Sequence, residues 1–535
     1  MAKKKILFLI CLISIYYLAW HVQNNLLFNS DVSWLMLATK RLLAGGSYTN
    51  DFFEINPPMI LYLYVPPVLL ANFFHFSNMI AMKIFIYFIA TISLMMCYFF
   101  TEEIFVEKEM RAIFILMLAA VFLLFPLNEF GQREHLMMML CMPYFLRSAG
   151  MTSVVGILAG LGFAIKPYFL IPFLLIELYL FSFRRIEFII ILLIITTYLM
   201  TIFLFHFDYV RDVIPIVKNY YQTYHTPWKI ILFNEPACFA YFTLLFYGIR
   251  RHYLASREFY FILFLALIGF LFAYFAQQSL WYYHALPVFS FSILLSVLLL
   301  AQLINQQSIS RKEYFTLTLF SLSLFLYLFL KLNYLWFWHA PLFLSAILLF
   351  LLALLFLLPR HKTISTFLGL MLFAYPAYQL GNIYTTAIYY KNLFSGFLDA
   401  MKPYENKSIY FFSNAAEFAF PGTEYTHQTF TERFACIGLF SERNKNFYIN
   451  AINEDIQRYQ PEFIFVDTRH KNEKTKLGYF GNDQINYVKI FSENNAFKKT
   501  WGSYRYLISI DGQPLYKFDI FKKINKMQIA DRDSR

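Results

Sequence analysis

Apolar residues run in long blocks through the first part of this chain, with neither the 3.6-residue stripe of a soluble amphipathic helix nor the alternation of a half-buried strand. Runs long enough for a ~30 Å hydrocarbon layer begin behind Lys3, Lys4 and Lys5 and recur near 79–100, 112–127, 135–149, 187–205, 230–249, 259–277, 285–303, 314–330, 340–358 and 364–382. The stretch 152–183 reads as two short spans broken at "KPY". The pattern predicts about thirteen transmembrane helices. Residues 57–74, "PPMILYLYVPPVLLANFF", contain two Pro-Pro pairs and read as an interfacial or re-entrant segment, because a further crossing would invert the topology after it.

Beyond 382 the pattern changes. Residues 383–535 hold 38 of the 78 charged side chains, and "SIYFFS" (408–413), "FIFVD" (463–467) and "YRYLISI" (504–510) read as strands beside a helical stretch at 444–460. The expected organisation is a transmembrane domain over 1–382, with a first outer loop at 22–78, followed by an α/β extracytoplasmic domain over 383–535. Composition agrees: 59% hydrophobic, 21% aromatic and 15% charged residues describe a multi-pass membrane protein. The net charge of +12 is spread over short loops and the tail, without a basic stripe interleaved with aromatics, so nucleic acid is not an expected partner. Lys108, Arg111, Arg184, Arg185, Arg250, Arg251, Arg311 and Lys312 fall in alternate loops. By the positive-inside rule these loops are cytoplasmic, with the N-terminus, and the C-terminal domain lies outside. Five cysteines supply no disulfide framework, and no CxxC or HExxH occurs.

This topology gathers Asp31, Asp51, Glu54, Glu129, Glu134, Asp208, Asp212 and Glu235 on the outer side. "DVSWLMLATKRLL" predicts an amphipathic helix on the membrane surface, with Ser30 or Asp31 as its cap and Gly45 and Gly46 ending it. Asp51 and Glu54 are candidates to shape a polar cleft in the same loop. Lys166 stands in the broken helix pair, where an intramembrane lysine is a functional candidate and snorkelling to the interface is the bland alternative.

The succession "SDVSWLMLATKRLLAGGSYTNDFFEINPPM", "GQREHL" (131–136), "GILAGLGFAIKPY" (156–168) and "QQSLWYYHALP" (277–287) resembles the GT-C membrane glycosyltransferases. The nearest branch is that of the protein O-mannosyltransferases and the lipid A aminoarabinose transferase. The resemblance implies a sugar donor carried on a polyprenyl phosphate, an acceptor in the envelope (glycan, lipid or protein), and transfer outside a bacterial inner membrane. It maps Asp31 onto the family's general base and Glu134, in competition with Glu129, onto its second acid. Lys166, Arg133 and His284 become candidates for the donor phosphate, and His135, Gln278 and Tyr283 join Asp51 and Glu54 as acceptor or sugar contacts. No cofactor is assigned; a divalent cation at the second acid stays open. A lipid or glycan transporter or flippase, and an O-antigen ligase or polymerase, are the competing classes; a transporter would carry inverted repeats with paired broken helices, and one clear break is visible here, at Ile165–Tyr168.

Overall fold

The computed structural model describes residues 2–146, 153–183, 185–221, 225–306, 309–335, 360–437, 444–469, 486–512 and 515–524. The helices open with α1 (Ala2–Asn25), α2 (Ser30–Leu43), α3 (Met59–Phe74), α4 (Asn78–Ile104) and α5 (Lys108–Leu123). They continue with α6 (Arg133–Leu146), α7 (Ser153–Phe163), α8 (Leu170–Leu180), α9 (Ile186–Phe205), α10 (Ile214–Tyr221) and α11 (Trp228–Leu232). Then come α12 (Glu235–Arg250), α13 (Arg257–Gln277), α14 (Tyr282–Asn305), α15 (Arg311–Leu335) and α16 (Arg360–Met401). Among the described residues, five helices are long and apolar enough to cross a membrane: Lys3–Asn25 within α1, and α4, α9, α13 and α14. The remaining predicted runs also form helices, except 340–358, which lies outside the described residues. Several are short; α5, α6 and α12, at 14 to 16 residues, reach only about 21–24 Å along their axes.

The chain groups into two compact units. The first comprises residues 1–22, 86–196 and 226–384. Its centre is α14, buried along almost its whole length and packed on α5, α6, α12 and α13. Two glycines let backbones touch around it. A Cβ on Gly269 of α13 would lie 2.4 Å from the Cα of Pro172 in α8, and one on Gly162 of α7 would lie 2.5 Å from the Sγ of Cys141 in α6. Real side chains never come that close. The α8–α13 and α6–α7 contacts therefore exist only because these positions carry no side chain.

The expected break between α7 and α8 is present. Lys166 adopts extended backbone (φ −142°, ψ 142°) and Pro167 opens a single 3-10 turn to Phe169. The cause is local, since the Pro167 ring disfavours helical geometry at the residue before it.

The second unit comprises residues 23–85, 197–225 and 385–535. The segment read as a first loop thus packs with the C-terminal region. Two expectations change here. The cap of α2 is Asn29, whose Oδ1 accepts from the Val32 amide at 3.2 Å, and neither Ser30 nor Asp31 holds that place. α2 is also covered more fully than one apolar face requires: Val32 through Met36 are all buried, as are Ala38 and Thr39, and the polar Ser33 and Thr39 are among them. The 57–74 stretch forms the single continuous helix α3, with Pro58 as N-cap and Pro66 and Pro67 inside it. Gly45, with φ of 85°, takes the left-handed turn after α2.

The C-terminal region carries a five-stranded sheet of β1 (Ser408–Phe412), β2 (Thr429–Phe430), β3 (Phe463–Asp467), β4 (Tyr504–Gly512) and β5 (Tyr516–Lys523) in the order β2-β1-β3-β5-β4. The first three strands run parallel, and β5 is antiparallel to β3 and β4. The parallel strands β1 and β3 are continuous apolar runs because both faces are covered. The predicted helix is found at Lys445–Tyr459. Its buried Asp455 pairs with Arg433 at 2.8 Å, and burial lifts the Asp455 carboxyl to about 6 against the pull of that arginine. Ordinary aspartate titrates near 3.8.

Two outcomes follow from these contacts. Gly269→Ala forces α8 and α13 apart and should destabilise the full-length protein in detergent by about 1–3 kcal/mol, read as a lower denaturant midpoint. At Asp455 the folded state holds its proton more tightly than the unfolded chain. The group's contribution to stability is therefore complete below pH 4 and declines as pH rises through 6, by about 3 kcal/mol for a shift of this size. Denaturation midpoints of the wild type and Asp455→Asn, taken from pH 4.5 to 7.5, should diverge across that window in favour of the variant.

Candidate active site

Four helical elements of the first unit deliver one buried cluster. Glu134 stands in the first turn of α6, Lys166 in the α7–α8 break, Gln277 at the end of α13, and His284 in the first turn of α14. The Lys166 ammonium lies 2.5 Å from Oε1 of Glu134, 3.4 Å from Oε1 of Gln277 and 3.4 Å from Nε2 of His284. Glu134 is fully buried, and Lys166 and His284 are each 6% exposed. An ammonium has three N–H donors, and three acceptors surround this one.

That geometry assigns the histidine tautomer. Lys166 can only donate, so Nε2 of His284 accepts and Nδ1 carries the proton, donating it to the Ser279 hydroxyl. Tyr283 forms the wall beside them. Arg133 and Lys166 each lie 5.4 Å from its ring centroid, a distance at which the ring quadrupole attracts cations. The ring meets His284 edge-on at 4.3 Å and stacks on Trp281 at 5.6 Å. The second oxygen of Glu134 is buried and has no hydrogen-bond partner among the described residues.

Of the candidates named from sequence, the structure thus brings together Glu134, Lys166, Arg133, His284 and Tyr283. Glu134 is the acid that meets Lys166; Glu129 stands in the short turn Leu127–Glu129 just before α6. Lys166 does not snorkel. His135 serves the fold instead. Its Nδ1 accepts from the Gly131 amide at 3.0 Å and its Nε2 donates to the Phe122 carbonyl at 2.6 Å, so both ring nitrogens are spent on the backbone. Gln278 ends α13 in left-handed backbone, and its carbonyl accepts from the Thr226 amide. Its neighbour Gln277 reaches the cluster instead. The sequence does contain a signal for that choice, since the last helical position continues the buried face of Ala273 and Tyr274.

Asp31, Asp51 and Glu54 belong to the second unit. Asp31 is half-buried in the first turn of α2. Asn29 is the cap of that helix. Asp51 accepts from the Ser47 amide at 2.8 Å and pairs with Arg458 at 2.9 Å. Glu54 is buried, accepting from the Trp34 indole at 2.6 Å and the Asn56 amide at 2.7 Å. Asp51 thus ties its loop to the C-terminal helix Lys445–Tyr459, and Glu54 ties the loop to α2. For a metal, no three His, Cys, Asp or Glu side chains converge among the described residues. Glu134 and His284 approach to 3.7 Å, and the Lys166 ammonium bridges them.

The chain shares its fold with a solved structure. The crystal structure of ArnT from Cupriavidus metallidurans bound to undecaprenyl phosphate matches 98% of this chain and 99% of its own, with a TM-score of 0.52 and 9% sequence identity. No family model and no curated protein matches the sequence. The resemblance read from short motifs thus finds a counterpart at the level of the fold.

Breaking the buried pair from one side should be costly. Lys166→Met leaves a carboxylate without its cation and should lower stability by about 3–5 kcal/mol. Adding Glu134→Gln should recover most of that loss, giving a coupling term that denaturant unfolding of the four-member mutant cycle measures.

Proposed function

We propose that the protein is a glycosyltransferase that moves a sugar from a polyprenyl monophosphate carrier to a hydroxyl of an envelope glycan, lipid or protein, on the outer face of a bacterial inner membrane. The observation that supports this most is the shared fold with ArnT, a protein solved with undecaprenyl phosphate bound. The buried Lys166 cluster, built into a broken helix, adds a chemical reason.

In this reading Asp31 takes the proton of the acceptor hydroxyl as the oxygen attacks C1 of the sugar. The bond from C1 to the phosphate oxygen breaks, and the lipid phosphate leaves with the electron pair. Lys166 and Arg133 offset the charge that builds on the departing phosphate. Lys166 does so by exchanging its two longer contacts, to Gln277 and His284, for phosphate oxygens. The carboxylate of Glu134 holds Lys166 in place, and its second oxygen orients a substrate hydroxyl. A divalent cation as further ligand of that carboxylate is the cofactor this reading admits.

Purified protein in lipid, supplied with an envelope extract as acceptor, should transfer sugar from a polyprenyl monophosphate donor and fail with a nucleotide sugar. Transfer from the nucleotide sugar without a lipid carrier overturns the assignment. Asp31→Asn should lower turnover by roughly 10² to 10⁴ with unchanged abundance and melting. A variant with normal turnover removes Asp31 from the mechanism.

A further inference from the structure

Within the second unit, two arginines reach across the chain in opposite directions. Arg41, in the last turn of α2, donates through Nη1 to the carbonyls of Asp51 (2.8 Å) and Glu432, and through Nη2 to the carbonyl of Phe430 (2.9 Å). One guanidinium therefore fixes the loop after α2 and the strand β2 together. Arg433 reaches back. Its Nη1 donates to the Thr49 carbonyl at 3.3 Å while its Nε pairs with Asp455 at 2.8 Å, and its own carbonyl accepts from the Phe53 amide at 2.5 Å. Phe53 and Phe434 meet as a parallel β-bridge between them, their rings 5.2 Å apart.

The same C-terminal segment grips α2 further along. The Ser33 hydroxyl donates to Glu424 at 3.3 Å, and the indole of Trp34 packs on Phe420 at 5.4 Å. The Phe28 amide donates to the Tyr425 hydroxyl at 3.4 Å. These contacts bracket Asp31 on both sides in sequence. None of them touches the Asp31 side chain, yet together they determine where the first turn of α2 stands. Backbone carbonyls as acceptors make the grip depend on the planar fork of arginine, which presents several N–H groups at fixed angles; lysine offers a point charge on a flexible stem.

We propose that Arg41 and Arg433 form a reciprocal clasp through which the C-terminal region positions α2 and its Asp31, so that residues 385–535 are a working part of the catalytic unit. Arg41 and Arg433 are positioning residues and touch no substrate. The statement that Asp31 then acts as a base rests on the glycosyltransferase reading; the positional claim does not.

The test separates the two. In full-length protein with its five cysteines replaced by serine, Asp31→Cys provides a reporter for a membrane-impermeant maleimide. Adding Arg41→Lys, or Arg433→Lys, should raise the labelling rate about tenfold, with the melting curve of the parent retained. Lys445→Met, which removes an exposed pair with Glu493 in the same region, should leave the rate unchanged. In the reconstituted transfer assay Arg41→Lys should lower kcat by ten- to a hundredfold with the donor KM unmoved, the scale expected when a reacting group is misplaced by about an ångström. Equal labelling in the parent and both lysine variants overturns the clasp. Should one lysine variant melt early, the other decides: an increase in labelling supports the clasp, and none overturns it. A labelling response in the Asp31→Cys protein, together with no transfer from either donor by the wild-type protein, keeps the clasp and removes the glycosyltransferase reading.

Discussion

The ion pair between Lys166 and Glu134 is the interaction on which the first unit depends. A lone ammonium or carboxylate in an apolar interior is prohibitively costly, so neither residue is tolerable without the other. Their meeting requires α6, the α7–α8 break and the ends of α13 and α14 to arrive at one point. The glycine contacts of Gly162 and Gly269 and the proline that stops α7 make that convergence sterically feasible. The pair in turn orders the neighbouring histidine, whose tautomer is set by an ammonium that can only donate.

Much of this architecture is legible in the sequence, for physical reasons. Hydrophobic runs on the scale of a bilayer are hard to mistake, and a Lys-Pro within one signals a broken helix by backbone sterics alone. β1 and β3 are visible because short apolar runs bounded by polar residues suit buried parallel strands. β2, two residues long, carries no periodic signal at all. β5 does carry one, in the alternation of Tyr516, Phe518 and Ile520 with Lys517 and Asp519.

The site is readable by residue type and less so by partner. Lys166 and Glu134 stand out because charge is rare among apolar neighbours, whereas their mutual contact spans 32 positions and cannot be read from either segment. His135 misleads because its chemistry suits a site equally well as a fold; only its two backbone partners decide. The environment of α2 departs from expectation for a related reason. Its stripe of apolar residues predicts one buried face, but Ser33, Trp34 and Thr39 are buried too, their polar atoms satisfied by Glu424, Glu54 and a backbone carbonyl. Tertiary partners hide what hydropathy counts as exposed.

The threefold coordination of Lys166 also has a kinetic side. Any anion that approaches it competes with the amide of Gln277 and the imidazole of His284, which are tethered in place and hence present at high effective concentration. Capture is then an exchange of partners, weaker than capture by a bare ammonium would be. Release is the same exchange run backwards, with the displaced acceptors returning as the anion leaves. A buried cation that never stands alone takes and gives up an anion only by such an exchange.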